Sequence, residues 1–456
     1  MRIHFINGTS DKRVALLINI LKSRGTDVTS SDINAKDYDK SLIMGANRAV
    51  YFKDEIPADN VELRIAELQQ IPLQEPMEIW AEISTSYDKV IAVAGSHGKT
   101  IAAGMIGSIL QQSDNESGNP TVHINADLID YQQALSNPQT PTTQPTASHL
   151  GSNRYLVTEA NEQKREFTKW HPHIGVILNA NLDHTYYYID DNDYNKAFTE
   201  FAQNCNFIVI ANECKHLLQN TNQRMITVGI DGDYSASEIT LDDSDINQFT
   251  KHSNKNERSY PLKTKFIATE FGTILDEYTI NCFGIHNVNS ALASIAVARE
   301  LGISKKEIKA GLSHFAGIAR RFEFISKDDN GILISDYAHH QAEIAASITA
   351  AKSLITNAPN SGKVRVLFQP YGYGRLLNSG IQLAQELTKA DQVALVPIYA
   401  KGEPEVVNLT HQILASYIPN AQCYDTTQDA KMFLKQANQN DITILMGVGN
   451  LLDELQ

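Results

Sequence analysis

The sequence is short of several things that would define a class outright. It has four cysteines, Cys205, Cys214, Cys282 and Cys423, with no CxxC pair among them, which excludes a disulfide framework and a zinc knuckle. It has no basic surplus: 39 Lys and Arg stand against 53 Asp and Glu, a formal charge of -14. A general nucleic-acid binder, which needs a basic face for phosphates, is thereby excluded. No apolar run approaches the ~20 residues that a membrane-spanning helix requires. After Met1 there is no basic region followed by an apolar stretch and a small-residue cleavage site, so no signal peptide is expected. No tandem repeat is present, which sets solenoids aside. These absences predict a cytoplasmic protein with no nucleic-acid partner and no membrane insertion.

What is present is an ordinary globular composition, 42% hydrophobic and 20% charged, in a chain whose length suggests about three domains. Residues 2–6 alternate as a strand, 13–24 carry Val14, Leu17, Ile18 and Leu21 at helical spacing, and 27–28 resume a strand. A second alternation starts at the apolar run 89–94, with strands over 155–158 and 174–178 and helices over 194–204 and 287–301. A third has strands over 332–335, 364–369, 393–396 and 442–446 and helices over 341–356, 378–389 and 406–417. Such alternation predicts parallel sheets covered by helices. Residues 136–151, rich in Pro, Thr, Gln and Ser, read as a mobile surface insertion that adds no core.

The chemistry-bearing segment is Gly95-Ser96-His97-Gly98-Lys99-Thr100, between the strand 89–94 and a helix over 101–110. It supplies close backbone N–H approach, a helix N-terminus and a lysine, the three things a polyphosphate needs. The spacing is shorter than the full phosphate-loop pattern, because Val93 stands where the first glycine would be. Thr100 is placed to hold Mg²⁺. Glu159 closes the strand 155–158 at the end that faces the same crevice, and His184 follows the next strand's loop, 179–183. Arg320-Arg321 sits where the second alternation ends, within reach of phosphate across a domain cleft or simply as a solvated hinge. Asp336-Tyr337-Ala338-His339-His340 closes a strand and offers a carboxylate to a ribose hydroxyl; taken alone it reads equally as a metal site.

Together with His4-Phe5-Ile6, Asn179 to His184, Gly284-Ile285-His286-Asn287, Gly317 to Phe322, Phe368-Gln369-Pro370 and Pro397 to Glu403, these segments resemble the Mur ligase family, most closely its alanine-adding members. The match spans nearly the whole chain, and order and spacing together make it specific. The resemblance implies an α/β fold in three domains. These are an N-terminal Rossmann-like domain for the UDP-sugar (1–87), a central P-loop ATPase with a parallel sheet (88–323), and a C-terminal Rossmann-like domain closing on nucleotide and amine (324–456). It implies an ATP-dependent acid–amino-acid ligase of peptidoglycan precursor synthesis, with ATP and Mg²⁺ as cofactors. Its substrates would be a small-molecule carboxylate such as UDP-N-acetylmuramate and an amino acid. Carried over by position, Lys99, Glu159, His184 and Arg320 are catalytic, and Thr100, Glu159 and His184 hold the metal. His286 and Asn287 face adenine, Asp336 faces ribose, and His339, His340, Tyr373 and Arg375 meet substrate. The place of the carbamylated lysine of other members falls on Phe198, with Lys196 out of register, so no carbamate is expected.

The sequence departs from the family at both substrate ends. The glycine-rich loop that takes the UDP diphosphate is replaced by Asn7 to Arg13, in which Asp11 opposes an anion while Lys12 and Arg13 attract one. The paired glycines after Pro120 become Asn125-Ala126. Tyr371-Gly372 replaces His-Arg after Phe-Gln-Pro, Ser290 replaces an adenine-side asparagine, and Asn161 an aspartate. Two further readings stay open: a ligase of the same mechanism acting on another carboxylate and amine, and a non-catalytic nucleotide-binding scaffold.

Overall fold

The structure is a computed structural model that describes all residues except 10, 34, 36–37, 114–118, 125, 127–147, 220–222, 245, 247–261, 357–361, 401 and 456. The insertion expected over 136–151 thus lies outside the described residues up to 147; beyond it, His149 forms an isolated bridge with Val122.

Three sheets follow one another along the chain. The first has order β2-β1-β3-β4 and is parallel throughout, with β1 (Arg2–Phe5), β2 (Asp27–Ser30), β3 (Arg48–Val50) and β4 (Leu73–Gln74). Its helices are α1 (Lys12–Ser23), α2 (Val61–Leu68) and α3 (Pro76–Ser84). α1 starts where the Asp11 side chain accepts from the Arg13 N–H at 2.9 Å, meeting one of the donors that a first turn leaves unpaired. Its buried Val14, Leu17, Ile18 and Leu21 are the stripe that helical spacing predicts.

The second sheet has nine strands in the order β13-β12-β11-β10-β9-β8-β5-β7-β6. They are β5 (Lys89–Ala94), β6 (Pro120–His123), β7 (Ser152–Glu159), β8 (Ile174–Ile177), β9 (Phe207–Ala211), β10 (Met225–Val228), β11 (Tyr234–Asp242), β12 (Lys263–Glu270) and β13 (Thr273–Ile280). The expected parallel arrangement holds from β5 to β10, whereas β12 runs antiparallel to both β11 and β13. A two-residue turn joins β12 to β13 with positive φ at Phe271 (49°) and Gly272 (76°), a backbone whose twist suits a hairpin. α4 (Lys99–Gln111) is apolar on all sides and buried from Thr100 to Leu110. After α5 (Asp191–Gln203), α6 (His286–Glu300) and α7 (Lys305–His314) pack against α4.

The third sheet has order β14-β15-β19-β16-β17-β18. It comprises β14 (Glu323–Asp328), β15 (Gly331–Asp336), β16 (Val364–Phe368), β17 (Gln392–Leu395), β18 (Gln422–Cys423) and β19 (Ile442–Met446), flanked by α8 (Gln341–Thr356) and α9 (Tyr373–Leu387). Only β14 is antiparallel to its neighbour. The helix expected over 406–417 is confined to His411–Ser416. One apolar core joins the first sheet to a face of the second, through Ile3, Leu17, Trp80, Val90 and Trp170. A second core covers the third sheet and takes in Leu262 and Phe283 from the chain before it.

Candidate active site

β5 lies between β8 and β7, parallel to both. Three strands therefore release their chains at one edge: β5 into 95–98, β7 into 160–162 and β8 into 178–184. This is the crevice where open parallel sheets bind ligands. The phosphate loop is stitched to the β8 loop. Ser96 Oγ donates to the Asn181 carbonyl at 2.5 Å and lies 2.9 Å from Tyr194 Oη. The His97 N–H donates to Asn179 Oδ1 at 2.9 Å, and Asn179 Nδ2 returns a bond to the His97 carbonyl at 3.0 Å. Gly98 caps α4 with φ of 82°, a conformation that a side chain strains. A Cβ there would lie 3.1 Å from Ser290 Oγ of α6.

Lys99 Nζ donates to the Gly95 carbonyl at 2.5 Å and to Glu162 Oε2 at 2.9 Å. Glu162 is buried, and His184 Nε2 stands 3.6 Å from its Oε1. Burial pushes the Glu162 carboxyl up, but the charges of Lys99 and His184 outweigh it and hold it below its ordinary range. Glu162, Asp183 and His184 bring one ligand atom each within 4.8 Å of one another. His184 has φ of 52°, uncommon for a residue with a Cβ, and its N–H is fixed by Asp183 Oδ1 at 2.6 Å. Thr100 is buried at the second position of α4. Glu159, the last residue of β7, lies in register with Val93, one turn of chain before Glu162. The carboxylate that meets Lys99 is thus Glu162, a residue sequence reasoning did not single out; its only signal was its place just after a strand end.

Across the crevice, Arg375 of α9 reaches Asp183 Oδ1 at 2.9 Å, and Asn378 Nδ2 donates to Thr185 Oγ1 at 3.0 Å. Against the upward push of burial, Arg375, with His184 and His340, keeps the Asp183 carboxyl well below its usual value. Tyr373 opens α9 beside Gly374, whose N–H donates to Glu403 at 3.0 Å. His340 tilts against His97 with ring centroids 4.6 Å apart. Burial pulls the His339 and His340 imidazoles down to about 4.

The Arg320 guanidinium donates to the carbonyls of Gly447, Val448 and Gly449 at 2.6, 2.9 and 2.5 Å. To reach a phosphate it must leave these three acceptors. Asp336 is buried; its carboxylate accepts from the Ala338 N–H at 3.0 Å and from the Ser347 hydroxyl, and burial raises it to about 6. His286 is exposed at the start of α6, one turn before Ser290. Asn287 is buried, its amide donating to the Phe283 carbonyl at 2.9 Å. Phe198 is buried against Phe167, with centroids 5.0 Å apart, while Lys196 is exposed.

At the first sheet, the loop after β1 is held by Asn7 N–H donating to Ser31 Oγ at 3.0 Å. Arg13 is committed twice, to Asp11 Oδ2 and to Glu55 Oε2, both at 2.6 Å, and its guanidinium lies 3.8 Å from the Phe52 ring centroid. Two carboxylates against one guanidinium make the entrance of α1 less inviting to an anion than its sequence alone suggests.

Known families and structures match this chain over nearly its whole length. The Mur ligase middle domain matches residues 93–298, and the Mur ligase glutamate ligase domain matches residues 320–449. The chain is 30% identical to the UDP-N-acetylmuramate--L-alanine ligase of Acetivibrio thermocellus, over 98% of this chain and 93% of that one. Its fold is similar to that of the UDP-N-acetylmuramate-alanine ligase of Thermotoga maritima, with TM-score 0.76 at 21% identity over 100% of this chain and 97% of that one. It is also similar to the MurF ligase of Thermotoga maritima solved in complex with ADP, with TM-score 0.60 at 15% identity over 94% of each chain. With both family domains matched in chain order and a full-length relative at that identity, this chain belongs to the Mur ligase family, whose members are ATP-dependent, ADP-forming amide ligases.

Proposed function

We propose that this chain acts in the cytoplasm and joins UDP-N-acetylmuramate to L-alanine, the substrate pair that the names of its relatives print. The substrate unit would be 1–87, the nucleotide unit 88–323 and the closing unit 324–456. The observation that carries the reading is the meeting of Lys99, Glu162, Asp183 and His184 at the ends of β5, β7 and β8. A carboxylate oxygen attacks the γ-phosphorus of ATP, the bond to the bridging oxygen breaks, and ADP leaves. The amine then attacks the acyl phosphate carbon, and the tetrahedral adduct expels phosphate with net release of one proton.

Transfer of a phosphoryl group needs positioned cations more than covalent chemistry. Lys99 is the cation of the loop, and in this state its charge is balanced by Glu162. Polyphosphate offers Lys99 a stronger anion, so Lys99 turns from Glu162 to the phosphates and frees a buried carboxylate. Carboxylate oxygens with one imidazole nitrogen suit a hard divalent cation. Mg²⁺ would be held by Thr100, Glu159 and His184, with Glu162 and Asp183 beside them. When bound, it would neutralise phosphate charge. Arg320 would reach the phosphates, His286 and Asn287 the adenine, and Asp336 the ribose. His339, His340, Tyr373 and Arg375 would border the amine.

A second reading, the same mechanism on another carboxylate and amine, is favoured by the Asp11–Arg13–Glu55 network at the entrance of α1. A phosphate-release screen crossing carboxylates with amines separates the two. Turnover confined to UDP-N-acetylmuramate with L-alanine supports the first, and turnover only with a different pair replaces it.

A further inference from the structure

Glu343 lies in the first turn of α8, and its two oxygens serve different parts of the chain. Oε2 accepts from the N–H groups of His339 and His340 at 3.1 and 3.3 Å, meeting donors that a helix start leaves unpaired. Oε1 meets two other segments. It stands 3.4 Å from His97 Nδ1 of the phosphate loop and 3.4 Å from Arg321 Nη1. One carboxylate, with 14% of its side chain exposed, thus touches the loop 95–98, the segment entering the third sheet, and the turn that carries His339 and His340.

A helix cap alone has no need of this second set of contacts. Burial works against ionisation, yet His339, His97 and Arg321 keep the Glu343 carboxyl well below its ordinary range, so it is an anion at neutral pH. Both nitrogens of His97 are buried without a hydrogen-bond partner. His97 Nδ1 stands 3.4 Å from Glu343 Oε1, close to but short of a made hydrogen bond. With the His340 ring tilted against it at 4.6 Å between centroids, the His97 ring meets two groups of the third unit and is a short movement from a made bond.

We propose that Glu343 is a positioning residue that couples the phosphate loop to the third sheet unit through His97, so that the loop is set for phosphoryl transfer only when residues 339–343 are seated on it. The inference rests on the ligase reading for its catalytic consequence, and on the contacts alone for the coupling.

The test is a double-mutant cycle of Glu343→Gln and His97→Asn. Glutamine keeps the acceptor for the two N–H groups and removes the charge, so a pure cap tolerates it. Each single change is expected to lower kcat about tenfold, a typical size for coupled neighbours, with KM for ATP moving much less and Tm little changed. The double variant is expected to be no slower than either single one. Wild-type kcat in Glu343→Gln, or effects that multiply in the double variant, would overturn the proposal. Amide hydrogen exchange at 95–98 in the substrate-free protein separates this from failure of the ligase reading. Faster exchange in Glu343→Gln supports the coupling even where no substrate pair turns over, and unchanged exchange contradicts it. If Glu343→Gln does not fold, His97→Asn carries the same measurement at 339–343: faster exchange there supports the contact, and unchanged exchange overturns it.

Discussion

Lys99 Nζ rests 2.9 Å from Glu162 Oε2, a buried carboxylate three residues beyond the end of β7. Lys99→Met removes the loop's cation and strands Glu162 without its main partner. Loss of a positioned cation is expected to lower kcat by about two to three orders of magnitude. Leaving one member of a buried pair uncompensated is expected to cost on the order of 3 kcal/mol of stability. Steady-state phosphate release and urea unfolding check the two halves. A Lys99→Met variant with normal turnover would remove the lysine from the chemistry.

The same pair sets a pH dependence. The folded value of Glu162 lies below its unfolded one. Its stabilisation is therefore present above the ordinary glutamate range, about 4.3, and lost as pH falls through the folded value. Asp336 has the opposite sign: its folded value, about 6, lies above the ordinary 3.8. Its contribution is intact below the unfolded value and lost as pH rises through about 6. Asp336→Asn should therefore be more stable than wild type at pH 8, and the gap should close as pH drops towards 4. Tm against pH for both proteins measures this; a gap that does not vary with pH contradicts the assignment.

Asp183 and Arg375 join the β8 loop to α9 across the crevice. Arg375→Met leaves Asp183 buried and unpaired, at a cost of about 3–5 kcal/mol. Adding Asp183→Asn should restore much of the stability but not the turnover, since closure and the amine side both lose a charge. Chemical unfolding of the single and double variants, with kcat for each, tests the separation. Recovery of full activity in the double variant would make the pair purely structural.

Arg13 is held between Asp11 and Glu55 at the start of α1. Asp11→Ser keeps an N-cap oxygen, so stability should change by less than about 1 kcal/mol, while the local negative charge falls. If the carboxylate substrate carries a diphosphate near this helix, its KM should drop several-fold, and at high salt the advantage should shrink. An unchanged KM at low salt places the substrate's charge elsewhere.

Much of this site was legible because its signals are local in sequence. The phosphate loop shows itself where an apolar strand runs into Gly95 to Thr100 and a helix, all within one contiguous segment. The α8 boundaries, 341–356, follow from one continuous helix-forming run. Glu162 and Glu343 were not legible, because their value depends on where the chain returns. Glu162 matters once β7 lies beside β5, and Glu343 once α8 faces His97. The antiparallel β11–β13 was missed for a related reason: β12 alternates buried and half-buried residues, and that pattern does not say which sheet a strand joins or in which direction. Arg320 shows the limit in the other direction. Its position at the entry to the third unit was plain, but only the return of the chain after β19 brings the carbonyls of Gly447 to Gly449 to its guanidinium.

Under the proposed function, the loop 95–100 serves amide formation. The direct measurement is mass spectrometry of reactions containing ATP, UDP-N-acetylmuramate and L-alanine, run alongside phosphate release and a Lys99→Met control. One ADP and one phosphate are expected for each amide formed, with the product absent when any one substrate is omitted and strongly reduced in the control. A folded, ATP-binding wild-type protein that forms no amide with this or any other carboxylate and amine in the screen would contradict it.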